Sequence, residues 1–136
     1  MTFDESLTWL NNTQFFGIKL GLDNTRRLLD HLGNPEHGLR IFHVAGTNGK
    51  GSVCAMLDSV IRAAGLRSGL YTSPHLCDFR ERILVNGNMI SRDATAQILT
   101  RLHEFCKGWT HSPTFFELST ALALAHFASP SSTIAT

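Results

Sequence analysis

Hydrophobic positions recur with two periods along this chain, and the changes of period mark its elements. A short amphipathic stretch predicts a helix over 4–11. A second helix is predicted from Asp23, a good N-cap, through Leu28, Leu29 and Leu32 to Gly33, which stops it. Residues 39–45, "LRIFHVA", form a short apolar run with β-branched and aromatic members, the pattern of a buried strand. After a glycine-rich stretch, Val53, Met56, Leu57, Val60, Ile61 and Ala64 return at helical spacing, and Gly65 closes that helix. "RSGLYTS" (67–73) reads as the next strand, and "RILVNGNMIS" (82–91) carries Asn86-Gly87 between apolar residues, a hairpin signal. A helix is predicted after Ser91, with Ala94, Ile98, Leu102 and Phe105 on one face, and another from near Thr114 through Leu118, Ala121, Leu122 and Ala125. Strand, crossover helix and strand in sequence predict a parallel sheet with right-handed connections, so the expected fold class is α/β.

Composition narrows the function classes. The chain has 136 residues, 43% of them apolar, enough for one core and hardly two. Its 12 basic and 11 acidic side chains nearly balance, which argues against a nucleic-acid binder. No run of ~18 apolar residues is present, and the polar, acidic start "MTFDESLTWLNN" is unlike a signal peptide, so no membrane partner is expected. Cys54, Cys77 and Cys106 are scattered and odd in number, which predicts a reducing, cytoplasmic setting. The histidines show no metal-ligand spacing with them, so no structural zinc is expected.

The stretch "HVAGTNGKGSV" (43–53) carries the chemistry. A phosphate-binding loop follows a strand, opens a helix and presents backbone N–H groups and a lysine to phosphate oxygens. Here the strand is predicted at 39–45, the loop at 46–49, then Lys50 and a periodic helix. The helix N-terminus adds roughly half a positive charge. A bare glycine turn needs neither Lys50 nor Ser52. The order Gly-x-x-Gly-x-Gly fails the dinucleotide fingerprint, and Gly51 stands where a Ser or Thr directly follows the lysine in the commonest nucleotide loop.

"HVAGTNGKGSV" (43–53), "GLYTSPHL" (69–76) and "ERI" (81–83) together resemble the folylpolyglutamate synthase/dihydrofolate synthase family of the Mur-ligase superfamily. "GIKLGLDNTRRLLDHLGNP" (17–35) and "TFFELSTALALAHF" (114–127) extend the resemblance over nearly the whole chain, and Gly51 after the lysine is the form seen in that family. The resemblance implies a P-loop NTPase-like parallel sheet with flanking helices, the ATP-binding domain of a Mur ligase, truncated. It implies ATP-dependent ligation of L-glutamate to dihydropteroate or folate through an acyl phosphate, with ATP and Mg2+ as cofactors and small molecules as partners. Gly46, Thr47, Asn48, Gly49, Lys50, Gly51 and Ser52 would hold the phosphates, with Lys50 as the catalytic charge on the β- and γ-oxygens. Ser73 would ligate magnesium through its hydroxyl. Gly17, Ile18, Lys19, Leu20, Thr72, Thr114, Phe115, Phe116 and Glu117 would line the pteroate pocket.

Each assignment has a plainer counterpart. Thr114-x-x-Glu117 is also a capping box. Phe115 and Phe116 fit a core, Lys19 a solvated face, and Thr72 and Ser73 the end of a strand. Arg80 and Arg82 suit a phosphate or glutamate as well as a surface, and His75 is a loop histidine with no ligand pattern around it. Members of the family are much longer and carry a C-terminal glutamate-ligase domain and further magnesium ligands, for which no residue here stands. The expectation is an N-terminal fragment of a monomeric parent, binding nucleotide at most and self-associating through an exposed sheet edge. The alternatives are a small P-loop nucleotide-binding module without ligase activity and a Mur-type ligase for a peptidoglycan precursor.

Overall fold

Residues 1–16 and 21–129 are described by the computed structural model, and they fall into two units of different make-up. The first unit joins Met1–Gly38 to Ser91–Ala128, and the second is Leu39–Ile90 with Ser129.

The first unit is helical. Helix α1 (Phe3–Asn12) opens on a capping box: Glu5 N donates to Thr2 Oγ1 at 3.1 Å, and Thr2 N donates to Glu5 Oε2 at 3.0 Å. Helix α2 (Asp23–His31) begins at its expected cap residue, so the observed cap lies one residue earlier. Leu22 is the N-cap and offers no side-chain acceptor, so Asp23 acts from the first turn, as a negative charge near the positive end of the dipole. The helix closes where Asn34 N donates to Leu29 O at 2.8 Å.

The two later helices of this unit, α4 and α5, follow the second unit in sequence. Helix α4 (Arg92–Cys106) is capped by Ser91, whose Oγ accepts from Ala94 N at 3.0 Å. Of the expected face Ala94, Ile98, Leu102 and Phe105, Leu102 is buried, and the rest of the buried stripe, Thr95 and Leu99, lies one residue along from Ala94 and Ile98. Thr95 tolerates full burial because its hydroxyl donates to Ser91 O at 2.8 Å. Helix α5 (Phe115–Ala128) is apolar on nearly every side and packs against α1, α2 and α4. Leu10, Leu28, Leu99, Leu102, Leu118 and Leu122 are fully buried around it, each contributing ~1.5–3 kcal/mol.

The second unit carries helix α3 (Lys50–Ala63) and a three-stranded antiparallel meander, β1 (Gly69–Tyr71), β2 (Ile83–Val85) and β3 (Asn88–Met89). Gly69 pairs with Val85 and Tyr71 with Ile83, and Leu84 pairs with Met89. Asn86 and Gly87 turn β2 into β3 with φ of 49° and 82°, both in the left-handed region that a tight hairpin requires. Helix α3 packs on β1, and a polar network locks its second half in place. Asp58 Oδ1 accepts from Ser68 Oγ at 2.6 Å, and Asp58 Oδ2 accepts from Arg62 Nε at 3.0 Å. Ser68 N donates to Asn86 Oδ1, and Asn86 N donates to Ser68 O, both at 2.8 Å.

The α/β make-up stands, but one expected strand does not form. Residues 39–45 pair with no strand among the described residues, and Ile41 and Phe42 are 59% and 69% exposed. A strand exists only through a neighbour's ladder, and the ladders present join segments close in sequence, which pair antiparallel. No parallel pair occurs among the described residues.

Candidate nucleotide site

The glycine-rich stretch leads directly into α3. Gly49 is the N-cap in the left-handed conformation, φ 77°, which frees the backbone to turn sharply into the helix. Val53 N donates to Gly49 O at 3.0 Å and starts the helical ladder. The cap has no side-chain acceptor, and the first turn of α3 holds no acidic residue. The other described α-helices differ: α1, α4 and α5 have hydroxyl caps, and all four carry an acidic residue in the first turn. The first N–H groups of α3 are thus left for an outside acceptor, at the positive end of a fourteen-residue helix. Residues 46–52, Lys50 included, are all exposed there.

Ser73, in the same unit, lies exposed on the loop after β1. Thr72 is half-buried beside it, its N–H donating to Arg82 O at 3.0 Å. The short 3₁₀ helix Phe79–Arg82 closes the loop. Glu81 accepts from the N–H groups of Leu76, Cys77 and Asp78 at 2.8, 3.1 and 2.8 Å. These bonds, led by the one from Leu76, favour the ionised carboxylate and lower its pKa below 4.5. Arg82 Nε donates to His75 Nδ1 at 2.7 Å, which leaves the His75 proton on Nε2. Arg80 pairs with Asp78 at 2.9 Å. Arg80, Arg82 and His75 are thus engaged within their own loop. Sequence reasoning passed over Glu81 as an anchor, although Asp78-x-x-Glu81 has the spacing of a capping box.

Thr114 and Glu117 belong to the other unit. They form a reciprocal cap on α5: Glu117 N donates to Thr114 Oγ1 at 3.2 Å, and Thr114 N donates to Glu117 Oε1 at 2.9 Å. Phe115 is half-buried, but Phe116 is 64% exposed and is no core residue. On the same side of α5 Thr120 and Leu124 are half-buried, opposite the fully buried Leu118 and Leu122. Glu117 also lines a cleft of about 470 Å³ with Asn24, Arg27, Trp109 and His111, where the Arg27 guanidinium lies 3.7 Å from the Trp109 ring centre. Gly17, Ile18, Lys19 and Leu20 lie outside the described residues. Among those described, no three His, Cys, Asp or Glu side chains form a group that could hold a metal, and no helix is long and apolar enough to cross a membrane.

No family model matches the chain. It is 41% identical over 130 residues to a probable bifunctional folylpolyglutamate synthase/dihydropteroate synthase of Haloferax volcanii, an alignment covering 93% of this chain and 16% of that protein. It is 38% identical over 130 residues to the dihydrofolate synthase/folylpolyglutamate synthase of Bacillus subtilis, covering 93% of this chain and 30% of that one. The solved folylpolyglutamate synthase of Thermotoga maritima matches with a TM-score of 0.81 and 39% identity, over 93% of this chain and 30% of that one. A folylpolyglutamate synthase complex with AMPPCP and folate matches at a TM-score of 0.77 and 33% identity, over 93% of this chain and 32% of that one. A bifunctional folylpolyglutamate synthase/dihydrofolate synthase with Mn, AMPPNP and L-glutamate bound matches at 0.74 and 34%, over 92% and 30%. The chain spans between about a sixth and a third of the length of these relatives. Over the stretch it spans, it shares their α/β fold and is similar in sequence to members of the folylpolyglutamate synthase/dihydrofolate synthase family.

Proposed function

We propose that this chain contributes the ATP-binding part of a ligase that joins L-glutamate to the carboxylate of dihydropteroate or folate. The observation that carries this reading is the N-terminus of α3: no side-chain cap, no acid in the first turn, and Lys50 exposed at its mouth. Such an end attracts a polyphosphate and leaves nothing of the protein's own to displace. Relatives bound to AMPPCP with folate, and to AMPPNP with L-glutamate, supply the substrates.

The chemistry answers a simple difficulty, that a carboxylate is a poor electrophile. Its oxygen attacks the γ-phosphorus, the bond to the bridging oxygen breaks, and ADP leaves. The amino nitrogen of glutamate then attacks the acyl carbon, phosphate departs with its oxygen, and the nitrogen loses a proton to give the amide. In this reading Gly46–Ser52 orient the phosphates through main-chain N–H groups, and Lys50 neutralises charge on the β- and γ-oxygens. Ser73 offers an exposed neutral oxygen, and no described carboxylate cage competes with it. That donor suits a hard cation whose remaining ligands are phosphate and water. Bound magnesium would supply further charge neutralisation at those oxygens. On the pteroate side, Phe116 offers an exposed flat face, whereas Glu117 Oε1 is committed to Thr114. Thr114 and Phe115 stand beside Phe116 in the same unit and complete the proposed lining there. By itself this chain is expected to bind nucleotide and to ligate nothing.

Calorimetric titration with AMPPNP tests the reading. Lys50→Ala removes one charge-assisted contact of ~1.5–3 kcal/mol, so affinity should fall about ten- to a hundredfold. Equal affinity for the two proteins would refute the phosphate assignment.

A further inference from the structure

Apart from His75, which meets the Phe79 ring edge-on at 6.0 Å between centres, the loop that carries Ser73 has little packing to hold it. Residues 72–78 form neither helix nor strand, and Leu76, its one large aliphatic side chain, is 94% exposed. Besides the Arg80 pairing with Asp78 at its end, its order comes from two neighbouring residues outside it. Glu81 collects the N–H groups of Leu76, Cys77 and Asp78 on one carboxylate. Arg82 grips the other half twice, through its carbonyl to Thr72 N at 3.0 Å and through Nε to His75 Nδ1 at 2.7 Å. The segment bearing both residues is fixed in turn, since Phe79 and Ile83 on either side are 3% and 0% exposed.

We propose that Glu81 and Arg82 are positioning residues for Ser73, setting where its hydroxyl stands relative to a nucleotide-bound divalent cation. This rests on the assignment of Ser73 to that cation made above. Only a carboxylate has two acceptor oxygens for three converging N–H groups. A glutamine offers one oxygen and turns an NH2 toward the same donors. The Arg82 side chain holds His75, two residues after Ser73, while its main chain holds Thr72 just before it. Loss of either side-chain anchor therefore frees the stretch that follows Ser73 and lets the hydroxyl wander while leaving the α3 loop untouched.

The test uses the full chain as wild type, Glu81→Gln, Arg82→Met and Ser73→Ala. AMPPNP affinity is measured by calorimetry with and without Mg2+, and the electron paramagnetic resonance spectrum of Mn2+–AMPPNP is recorded with each protein. Both clamp variants should need about tenfold more Mg2+ for the same gain in nucleotide affinity, the usual scale for a group behind a metal ligand. Metal-free affinity should stay unchanged, and the Mn2+ spectrum should move toward that of free Mn2+–AMPPNP, as in Ser73→Ala. If Ser73→Ala raises the Mg2+ requirement and neither clamp variant does, the positioning role is wrong. If Ser73→Ala itself changes nothing, the cation assignment fails and takes the clamp with it. Should Glu81→Gln lose metal-free binding as well, Arg82→Met decides between a folding defect and positioning; the same combined loss in both overturns the proposal.

Discussion

Asp58 is the deepest acidic side chain of the second unit, 5% exposed, and its replacement by alanine isolates the worth of the network behind α3. The substitution takes the only acceptor shown for Ser68 Oγ, a 2.6 Å bond at a residue 4% exposed. A buried hydroxyl left unsatisfied costs ~1–3 kcal/mol. The Arg62 partner is different: its side chain is 42% exposed, so its ion pair adds only ~0–1 kcal/mol. The expected loss is therefore about 1–4 kcal/mol, most of it from Ser68. Asp58→Asn keeps an oxygen for Ser68 and loses only the charge on the exposed side, so its cost should stay under ~1 kcal/mol. Amide hydrogen exchange at Asn86 reads the effect locally, because Asn86 N donates to Ser68 O at 2.8 Å. A loss of 2 kcal/mol speeds exchange about thirtyfold when reclosing is fast and exchange follows the opening equilibrium. Equal protection of Asn86 in wild type and both variants would show that the buried network contributes nothing.

Thr114→Ala should destabilise the first unit by about 1 kcal/mol through loss of the α5 cap, and a urea midpoint equal to wild type would contradict the reciprocal bonds to Glu117. Burial raises the Cys106 thiol to about 11, against a smaller opposing effect of Arg27, so at pH 8 only about one molecule in a thousand carries the thiolate. Iodoacetamide should therefore label the exposed Cys77 well before Cys106, and the reverse order by mass spectrometry would refute the burial argument. Glu81 has a depressed folded pKa, so its clamp is fully present above the unfolded-chain value near 4.5 and is lost as pH falls through the lower folded one. Amide shifts of Leu76, Cys77 and Asp78 that titrate at or above 4.5 would contradict it. Val53, Met56 and Val60 form a stripe on α3 that is 41–66% exposed, so sedimentation should show self-association, and a concentration-independent monomer would count against a sticky face there.

Much of this architecture was legible where a residue acts on its immediate neighbours. Ser91 and Thr114 cap the helices their sequence contexts promise, and Asn86-Gly87 turns the predicted hairpin. The α3 pattern from Val53 to Ala64 gives a helix that ends where Gly65 stands. What sequence could not reveal depends on partners far along the chain. The apolar run 39–45 has the composition of a strand, but strandedness is a property of a pair, and no described residue supplies the second member. The stripe on α4 turned by one residue because Ile98 and Leu99 are equally apolar, and only the packed neighbours choose between them. The candidate site divides the same way. The α3 loop is local and was readable, whereas the lack of a side-chain cap at its helix end was found only in the structure. The Glu81 clamp rests on bonds that three successive N–H groups make only once the loop has folded back.

The order of the two units along the chain has a consequence for synthesis. The second unit is, apart from Ser129, one continuous segment lodged between the halves of the first. As the polypeptide leaves the ribosome, α3 and the meander can close all their short-range contacts as soon as Ile90 has emerged. Leu10 and Leu28, by contrast, wait for α4 and α5, because the residues that bury them are made last. The loop that opens α3 therefore matures early, on a nascent chain whose first two helices are still exposed to chaperones. Slowing translation between Ile90 and Phe115 would prolong that exposure of α1 and α2 while leaving the α3 loop already formed.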